Sequence, residues 1–137
     1  MRFRPYLTFS GTCAEAFTRY QEIFGGELVA LSMADAPSDT PVPPEQADLV
    51  IHAALTLDGA VLMGSDDPTG GFSGVQGITV TCTVADPGEA QRVFGALADG
   101  GAVTQPLIET FFSPSFGMCT DRFGIPWMIV ADAPETQ

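Results

Sequence analysis

Two helix-start signals recur at a single spacing, and this restricts the fold more than any other feature of the chain. The first, Thr12-Cys13-Ala14-Glu15, has the form of a capping box, in which the threonine hydroxyl accepts from the Glu15 amide and the glutamate reaches back. Apolar residues then fall at Cys13, Ala16, Phe17, Tyr20, Ile23 and Phe24, one stripe of an α-helix, and Gly25-Gly26 supplies the stop. The second, Asp86-Pro87-Gly88-Glu89, offers a cap, a proline at the first helical position and a glutamate in the first turn. Its stripe is Ala90, Val93, Phe94, Leu97 and Ala98, and Gly100-Gly101 ends it. Thr12 and Asp86, Glu15 and Glu89, Ala16 and Ala90, Tyr20 and Phe94, and Ile23 and Leu97 are each 74 positions apart. Caps, glutamates and stripe residues held in one register indicate an internal duplication.

The flanks repeat as well. Tyr6-Leu7-Thr8-Phe9 reads as a strand before the first helix. Before the second, Ile78, Val80, Cys82 and Val84 alternate with Thr79, Thr81 and Thr83. Strands are expected after the first helix at 28–33, 49–57 and 60–63, the last two joined by a tight Asp58-Gly59 turn. After the second they are expected at 102–109, 116–120 and 127–130, with a turn at 121–124. Stretches 34–47 and 66–73 read as loops, being rich in turn-forming residues. The chain is thus expected to be a single α+β domain of two βαβββ modules, approximately 1–74 and 75–137. One helix covers one face of each four-stranded sheet, and the remaining faces are expected to curve around a shared cavity.

Composition narrows the partners. Seventeen acidic residues against five basic ones give a formal net charge of −12, a field that repels a phosphate backbone, so no nucleic-acid partner is expected. Hydrophobic residues at 45% suit a globular chain, yet no apolar run reaches membrane-spanning length, so no membrane partner is expected either. Met1-Arg2-Phe3-Arg4-Pro5 lacks the apolar stretch of a signal peptide, and the expected address is the cytoplasm. Cys13, Cys82 and Cys119 show no zinc-type or redox spacing and are expected to be reduced, mostly buried thiols.

The paired βαβββ plan resembles the vicinal-oxygen-chelate superfamily (glyoxalase/bleomycin resistance/dioxygenase). Within it, the chain is similar to the PhnB-like group, whose members have often carried the label of a ubiquinone-pathway methyltransferase. The resemblance is carried by Pro5 to Gly11, Cys13 to Phe17, Tyr20 to Gly26, His52-Ala53 and Leu62 to Asp66. It continues through Gly100-Gly101, Glu109 to Phe112 and Asp121 to Ile129, in order along nearly the whole chain. Phe112 departs from it, standing where the group commonly has tryptophan. The resemblance implies cupped sheets and, commonly, a homodimer with modules pairing across chains. Methyl transfer is not expected, because it needs an S-adenosylmethionine site, normally on a Gly-rich turn of a doubly wound domain, and no such turn is present.

Metal-dependent members of the superfamily place His, Gln or Glu at the start of each module's first strand and on its last strand. Carried over through the repeat, those positions are Pro5 (or Tyr6) and Thr79, and Met63 and Met128. None suits a divalent ion of that kind, so no metal and no other cofactor are predicted. The alternation of residues 50–57 puts His52 with Thr56 opposite Ile51, Ala53, Leu55 and Leu57. His52 therefore points away from the helix, where it serves either as an acid, base or ligand anchor or as a histidine hydrogen-bonded within the sheet.

Met63, Phe111, Phe112, Met118, Trp127 and Met128 would make an adaptable apolar lining, or else core, and Thr79, Thr81 and Thr83 a polar row beside it. Cys13 in the first turn of its helix, Asp66-Asp67 and Glu109 are read as packing, turn chemistry and a solvated side chain. Three functions follow: a metal-free small-molecule binding protein with an apolar cavity, an enzyme on a small oxygenated substrate using His52 or an unorthodox metal site, or a dimeric interaction module.

Overall fold

The computed structural model describes residues 1–36 and 41–133, and the chain divides into two units at the Gly74–Val75 junction. The first contains β1 (Tyr6–Phe9), α1 (Cys13–Phe24), β2 (Glu27–Ser32), β3 (Val50–Leu57) and β4 (Ala60–Asp66), with a short 3₁₀ turn at Pro44–Gln46. The second contains β5 (Val80–Val84), α2 (Pro87–Ala98), β6 (Ala102–Ile108), β7 (Phe116–Thr120) and β8 (Pro126–Ala131). Strand order is β1-β4-β3-β2 in one sheet and β5-β8-β7-β6 in the other. In each, the first and last strands of the module pair in parallel and the rest are antiparallel. Each unit is a βαβββ module with a mixed sheet, and the fold is α+β. Part of the 34–47 loop, residues 37–40, lies outside the described residues.

Each helix forms where its apolar stripe can be buried. Cys13, Ala16, Phe17, Tyr20 and Ile23 of α1 are buried, as are Leu7, Phe9, Ala53 and Leu55 from the strands. Phe17 meets Phe9 and Tyr20 edge to face, at centroid distances of 6.1 and 5.6 Å. Large side chains buried in this way contribute about 1.5–3 kcal/mol each. Gly64 makes room for them, since a Cβ there would lie 2.8 Å from both the Phe17 ring and the Leu7 carbonyl. In the second unit Val93, Phe94 and Leu97 of α2 are buried, together with Val84, Cys119, Trp127 and Ile129. The Asp58-Gly59 turn forms as expected, with φ of 50° and 82° at its two central residues.

The two helix starts are secured differently. Asp86 caps α2 as its sequence predicts, its Oδ1 accepting from the Glu89 amide at 2.8 Å. Thr12, by contrast, makes no side-chain cap bond. The work falls to Asp66, which the sequence reading placed in a loop and which instead ends β4 as a buried residue. Its Oδ1 accepts from the amides of Gly11 at 2.9 Å and Cys13 at 3.0 Å, and its Oδ2 from that of Val50 at 2.9 Å. A carboxylate holding three amides and facing the positive end of a helix dipole displaces a lone hydroxyl from that role.

A one-residue difference between the modules accompanies this. The helices are 74 apart, but the Asp67 amide bonds the Phe9 carbonyl where the Asp132 amide bonds that of Val84, and Phe9 and Val84 are 75 apart. The first strand-to-helix connection is longer by one residue, and it contains Gly11, at φ 96°, one of the donors to Asp66. The strand expected from Ile78 begins at Val80, and Ile78 is exposed.

Replacing Asp66 with alanine orphans two amides in or near the core and one at the helix entry, and the variant is expected to lose about 3–5 kcal/mol of unfolding free energy. Asp86→Ala, which removes one exposed cap bond, is expected to lose about 1 kcal/mol. Equilibrium urea unfolding of both variants measures the difference, and equal losses would contradict the asymmetry.

Candidate functional site

Residues paired across neighbouring strands lie on the same side of a sheet, so register decides which side chains share the face that the helix does not cover. In the first sheet one row of that face runs Tyr6, Met63, Ala54, Val29. His52 pairs with Leu31 in the adjoining row. The His52 and Tyr6 rings lie 6.1 Å apart, centroid to centroid, inclined at 31°. His52 is exposed, as are Tyr6 (48%), Val29 (60%) and Leu31 (36%), so this face is open. The expected orientation of His52 away from the helix is what the register produces, and the ring of Tyr6 accompanies it.

In the second sheet the corresponding row is Thr81, Met128, Met118, Gln105. The Thr81 hydroxyl donates to the Met128 sulfur at 3.8 Å. In the next row Phe116 pairs with Val130 and Ile108. The Phe112 ring packs edge-on to that of Phe116 at 5.2 Å and to that of Phe111 at 5.2 Å, and Phe111 is fully exposed beyond them. The loop carrying both is closed by Thr110 and Ser113: the Ser113 amide donates to Thr110 Oγ1 at 3.0 Å, and the Ser113 hydroxyl to the Ala131 carbonyl at 2.6 Å.

Not every residue singled out from the sequence joins these faces. Met63 and His52 share the open face of the first sheet, and Thr81, Met118 and Met128 the face of the second that α2 does not cover, where both methionines are half-buried. Phe112 stands beside it through Phe116, whereas Phe111 extends outward. Thr79 sits just before β5, half-buried. Trp127 is 2% exposed and lies on the helix side, one residue from Met128 and therefore on the opposite face. Its indole Nε1 donates to Asp121 Oδ2 at 2.9 Å, while Asp121 Oδ1 accepts from the amides of Phe123 and Ile125. Trp127 is core, satisfied by a buried carboxylate. Tyr6 and Phe116 were not among the expected lining residues. The alternation of Tyr6 with buried Leu7 and Phe9 is the signal that would have found Tyr6.

The remaining candidates resolve into structure. Asp66 and Asp67 do not act as a pair. Asp66 is occupied at the start of α1, and Asp67 caps its own turn by accepting from the Thr69 amide at 2.9 Å and hydroxyl at 2.7 Å. Hydrogen bonds from Thr69 hold the Asp67 carboxyl below its usual range. Glu109 is exposed just past β6. Burial pushes the Cys13 thiol up to about 12, helped by the Asp66 charge, so packing overrides any pull from the helix dipole. Burial likewise pushes Cys119 up to about 11, assisted by Asp121, and raises Cys82.

Of the four positions that the superfamily resemblance implies for metal ligands, the register keeps Met63 and Met128, selects Tyr6 over Pro5 and moves one, from Thr79 to Thr81. Tyr6 lies beside Met63, and Thr81 rather than Thr79 lies beside Met128. A phenol, a hydroxyl and two thioethers do not fit a divalent ion that prefers imidazole and carboxylate. Among the described residues, no group of three or more His, Cys, Asp or Glu side chains could hold a metal ion.

Comparison with known proteins accords with this architecture. Residues 1–130 match the model of the family described as 3-demethylubiquinone-9 3-methyltransferase. Protein PA1353 from Pseudomonas aeruginosa is similar at 41% identity, over 96% of this chain and 98% of that one, with a TM-score of 0.88. The Bacillus cereus structure described as a putative 3-demethylubiquinone-9 3-methyltransferase, PhnB protein, is 27% identical over 96% and 99% of the two chains, with a TM-score of 0.75. A glyoxylase/bleomycin resistance protein/dioxygenase domain from Frankia sp. EAN1pec shares the fold, at 19% identity over 99% and 94% of the chains and a TM-score of 0.69.

Because the raised thiol pKa values keep Cys13 and Cys119 protonated, both are expected to resist a thiol-disulfide reagent at pH 8 in the native protein and to react on unfolding. The linkage has a definite sign. Above about pH 9 an unfolded thiol ionises while these two stay protonated up to about 12 and 11, so stability falls as pH rises through that window. Urea unfolding of a Cys13→Ala, Cys119→Ala double variant is expected to show a flatter decline between those limits than the parent does.

Proposed function

We propose that this chain, which belongs to the 3-demethylubiquinone-9 3-methyltransferase family and to the PhnB-like group of the vicinal-oxygen-chelate superfamily, is a metal-free binding protein for a small apolar molecule. The observation that carries this reading is the chemistry of two register pairs, Tyr6 with Met63 and Thr81 with Met128, on sheet faces that no helix covers. Where a metal enzyme of this fold would present hard nitrogen and oxygen ligands, these faces present ring, methyl and thioether groups. Methionine and aromatic side chains adapt their shape to a ligand and gain dispersion and sulfur–ring contacts from it. The open faces suit retention of a ligand, and methyl transfer forms no part of the proposal. Each sheet is four-stranded, mixed and covered by one helix, not the doubly wound parallel sheet that normally supports a nucleotide-like cofactor.

A second reading is enzymatic, with His52 as general base. It is favoured by the pairing of that exposed imidazole with the Tyr6 ring, two groups able to exchange protons with a bound oxygenated substrate. The resemblance further supports a homodimer, which sedimentation at micromolar concentration would reveal. No helix among the described residues is long and apolar enough to cross a membrane, and a cytoplasmic location is part of the proposal.

The neutral fluorophore N-phenyl-1-naphthylamine tests the binding reading. It is expected to bind the native protein saturably, and Met118→Ala with Met128→Ala to weaken it about 5- to 30-fold, as loss of two thioether contacts implies. Elemental analysis of untagged protein is expected to find less than stoichiometric Zn, Ni, Mn or Fe. A stoichiometric metal, or binding indifferent to both methionines, would overturn the proposal. For the enzymatic reading, a His52→Ala variant that turned over a substrate as fast as the parent would remove the base.

A further inference from the structure

The two sheets repeat each other row by row, and one row breaks the repeat. The pair Tyr6–Met63 in the first sheet corresponds to Thr81–Met128 in the second, and the next row of each uncovered face lies two residues further along the same strands. In the second sheet that row is Thr83, Val130, Phe116 and Ile108. In the first sheet its counterpart is Thr8, Ser65, His52 and Leu31. Thr8 pairs with Ser65 and His52 with Leu31, while His52 and Ser65 are the residues next to the Ala53–Gly64 pair that joins β3 to β4. Two hydroxyls and an imidazole thus stand where the second module has one hydroxyl, a valine and a phenylalanine.

Their neighbours fix which way these side chains point. Leu7, Phe9 and Ala53 are buried, and a Cβ at Gly64 would lie 2.8 Å from the Phe17 ring of α1, so Thr8, His52 and Ser65 face away from the helix. Thr8 and Ser65 are half-buried and His52 is exposed. Among the described residues, none of these three side chains makes a hydrogen bond within the protein, and no fully buried side-chain nitrogen or oxygen lacks a partner, so their polar atoms are reachable from outside. Two polar side chains on the second sheet's uncovered face are engaged instead, Thr81 with the Met128 sulfur and Gln105 Nε2 with the Pro106 carbonyl at 2.8 Å. Serine, threonine and neutral histidine share one property, that each both donates and accepts a hydrogen bond. A half-buried hydroxyl without a protein partner is satisfied by water, or by a ligand group that reproduces water's bonds. A ligand hydroxyl reproduces both kinds, whereas an ether oxygen only accepts and a methyl group does neither.

We infer that the ligand of the first unit's open face is a hydroxyl-bearing ring compound, a phenol or cyclic alcohol, with its hydroxyl hydrogen-bonded among Thr8, Ser65 and His52 and its ring on Tyr6 and Met63. The inference rests on the reading of this face as a binding surface and adds the functional group that it recognises.

Three naphthalenes of similar shape test it, since 2-naphthol donates and accepts, 2-methoxynaphthalene only accepts and 2-methylnaphthalene does neither. A purely apolar face ranks them by hydrophobicity, with the methyl compound tightest and the naphthol weakest. Equilibrium dialysis against the native protein at neutral pH is expected to reverse that order, with the naphthol bound at least about 5-fold more tightly than the methyl compound. Thr8→Val and Ser65→Ala, combined in one chain, remove both hydroxyls with little change of volume, and are expected to lower that preference below about 2-fold. The order in the unmodified protein decides the matter independently of how the variant folds. Tightest binding of the methyl compound, or retention of none of the three while N-phenyl-1-naphthylamine still binds, would overturn the hydroxyl assignment and leave the binding reading standing. A folded double variant that kept the full preference would overturn the assignment to this row. Failure of all four probes would overturn the binding reading itself.

Discussion

The carboxylate of Asp66 holds the first module together at the point where its three chain directions meet. It receives one amide from the turn leaving β1, one from the first residue of α1 and one from the first residue of β3. Each of those amides would otherwise be short of a partner, because a helix start leaves its first amides unbonded and a strand end leaves the ladder. One side chain at the end of β4 thus fixes where the helix begins, how it lies over Leu7, Phe9 and Leu55, and hence which face of the sheet remains uncovered. The position of Tyr6, Met63 and His52 on that uncovered face follows from it.

The second module reaches the same arrangement by other means. Its helix carries its own cap in Asp86, and Ala131 occupies the corresponding end of β8. Its buried polar groups serve other turns: Asp121 gathers the amides of Phe123 and Ile125 and the Trp127 indole, and Ser113 ties the Phe111-Phe112 loop to β8. Among the described residues, no buried side-chain nitrogen or oxygen lacks a hydrogen-bond partner. The uncovered faces can therefore hold apolar and weakly polar groups while both cores stay fully satisfied.

Much of this was legible in the sequence wherever the determining contacts are local. The stripes of α1 and α2, the Asp58-Gly59 turn and the alternation that turns His52 from the helix all lie within a few residues of one another. What escaped depends on contacts distant in the chain. Nothing near Thr12 announces that Asp66 replaces its hydroxyl, since that bond spans more than fifty residues. Carrying the 74-residue offset of the helices into the strands pointed to Thr79, while the extra residue at Gly11 makes the strand offset 75 and brings Thr81 beside Met128. Trp127 was grouped with Met128 on chemical type, although neighbours in a strand point to opposite faces.

The two caps also differ in when they become available. Asp86 and the amide it serves are three residues apart, so α2 has its cap as soon as its own first turn exists. The donors at the start of α1 are separated from Asp66 by 53 and 55 residues, so that helix has no cap until β4 has been made and laid parallel to β1. As a chain emerges from N-terminus to C-terminus, the first module must complete its sheet before its helix is secured, whereas the second can start from its helix. Two modules of one plan thus secure their helices across very different lengths of chain.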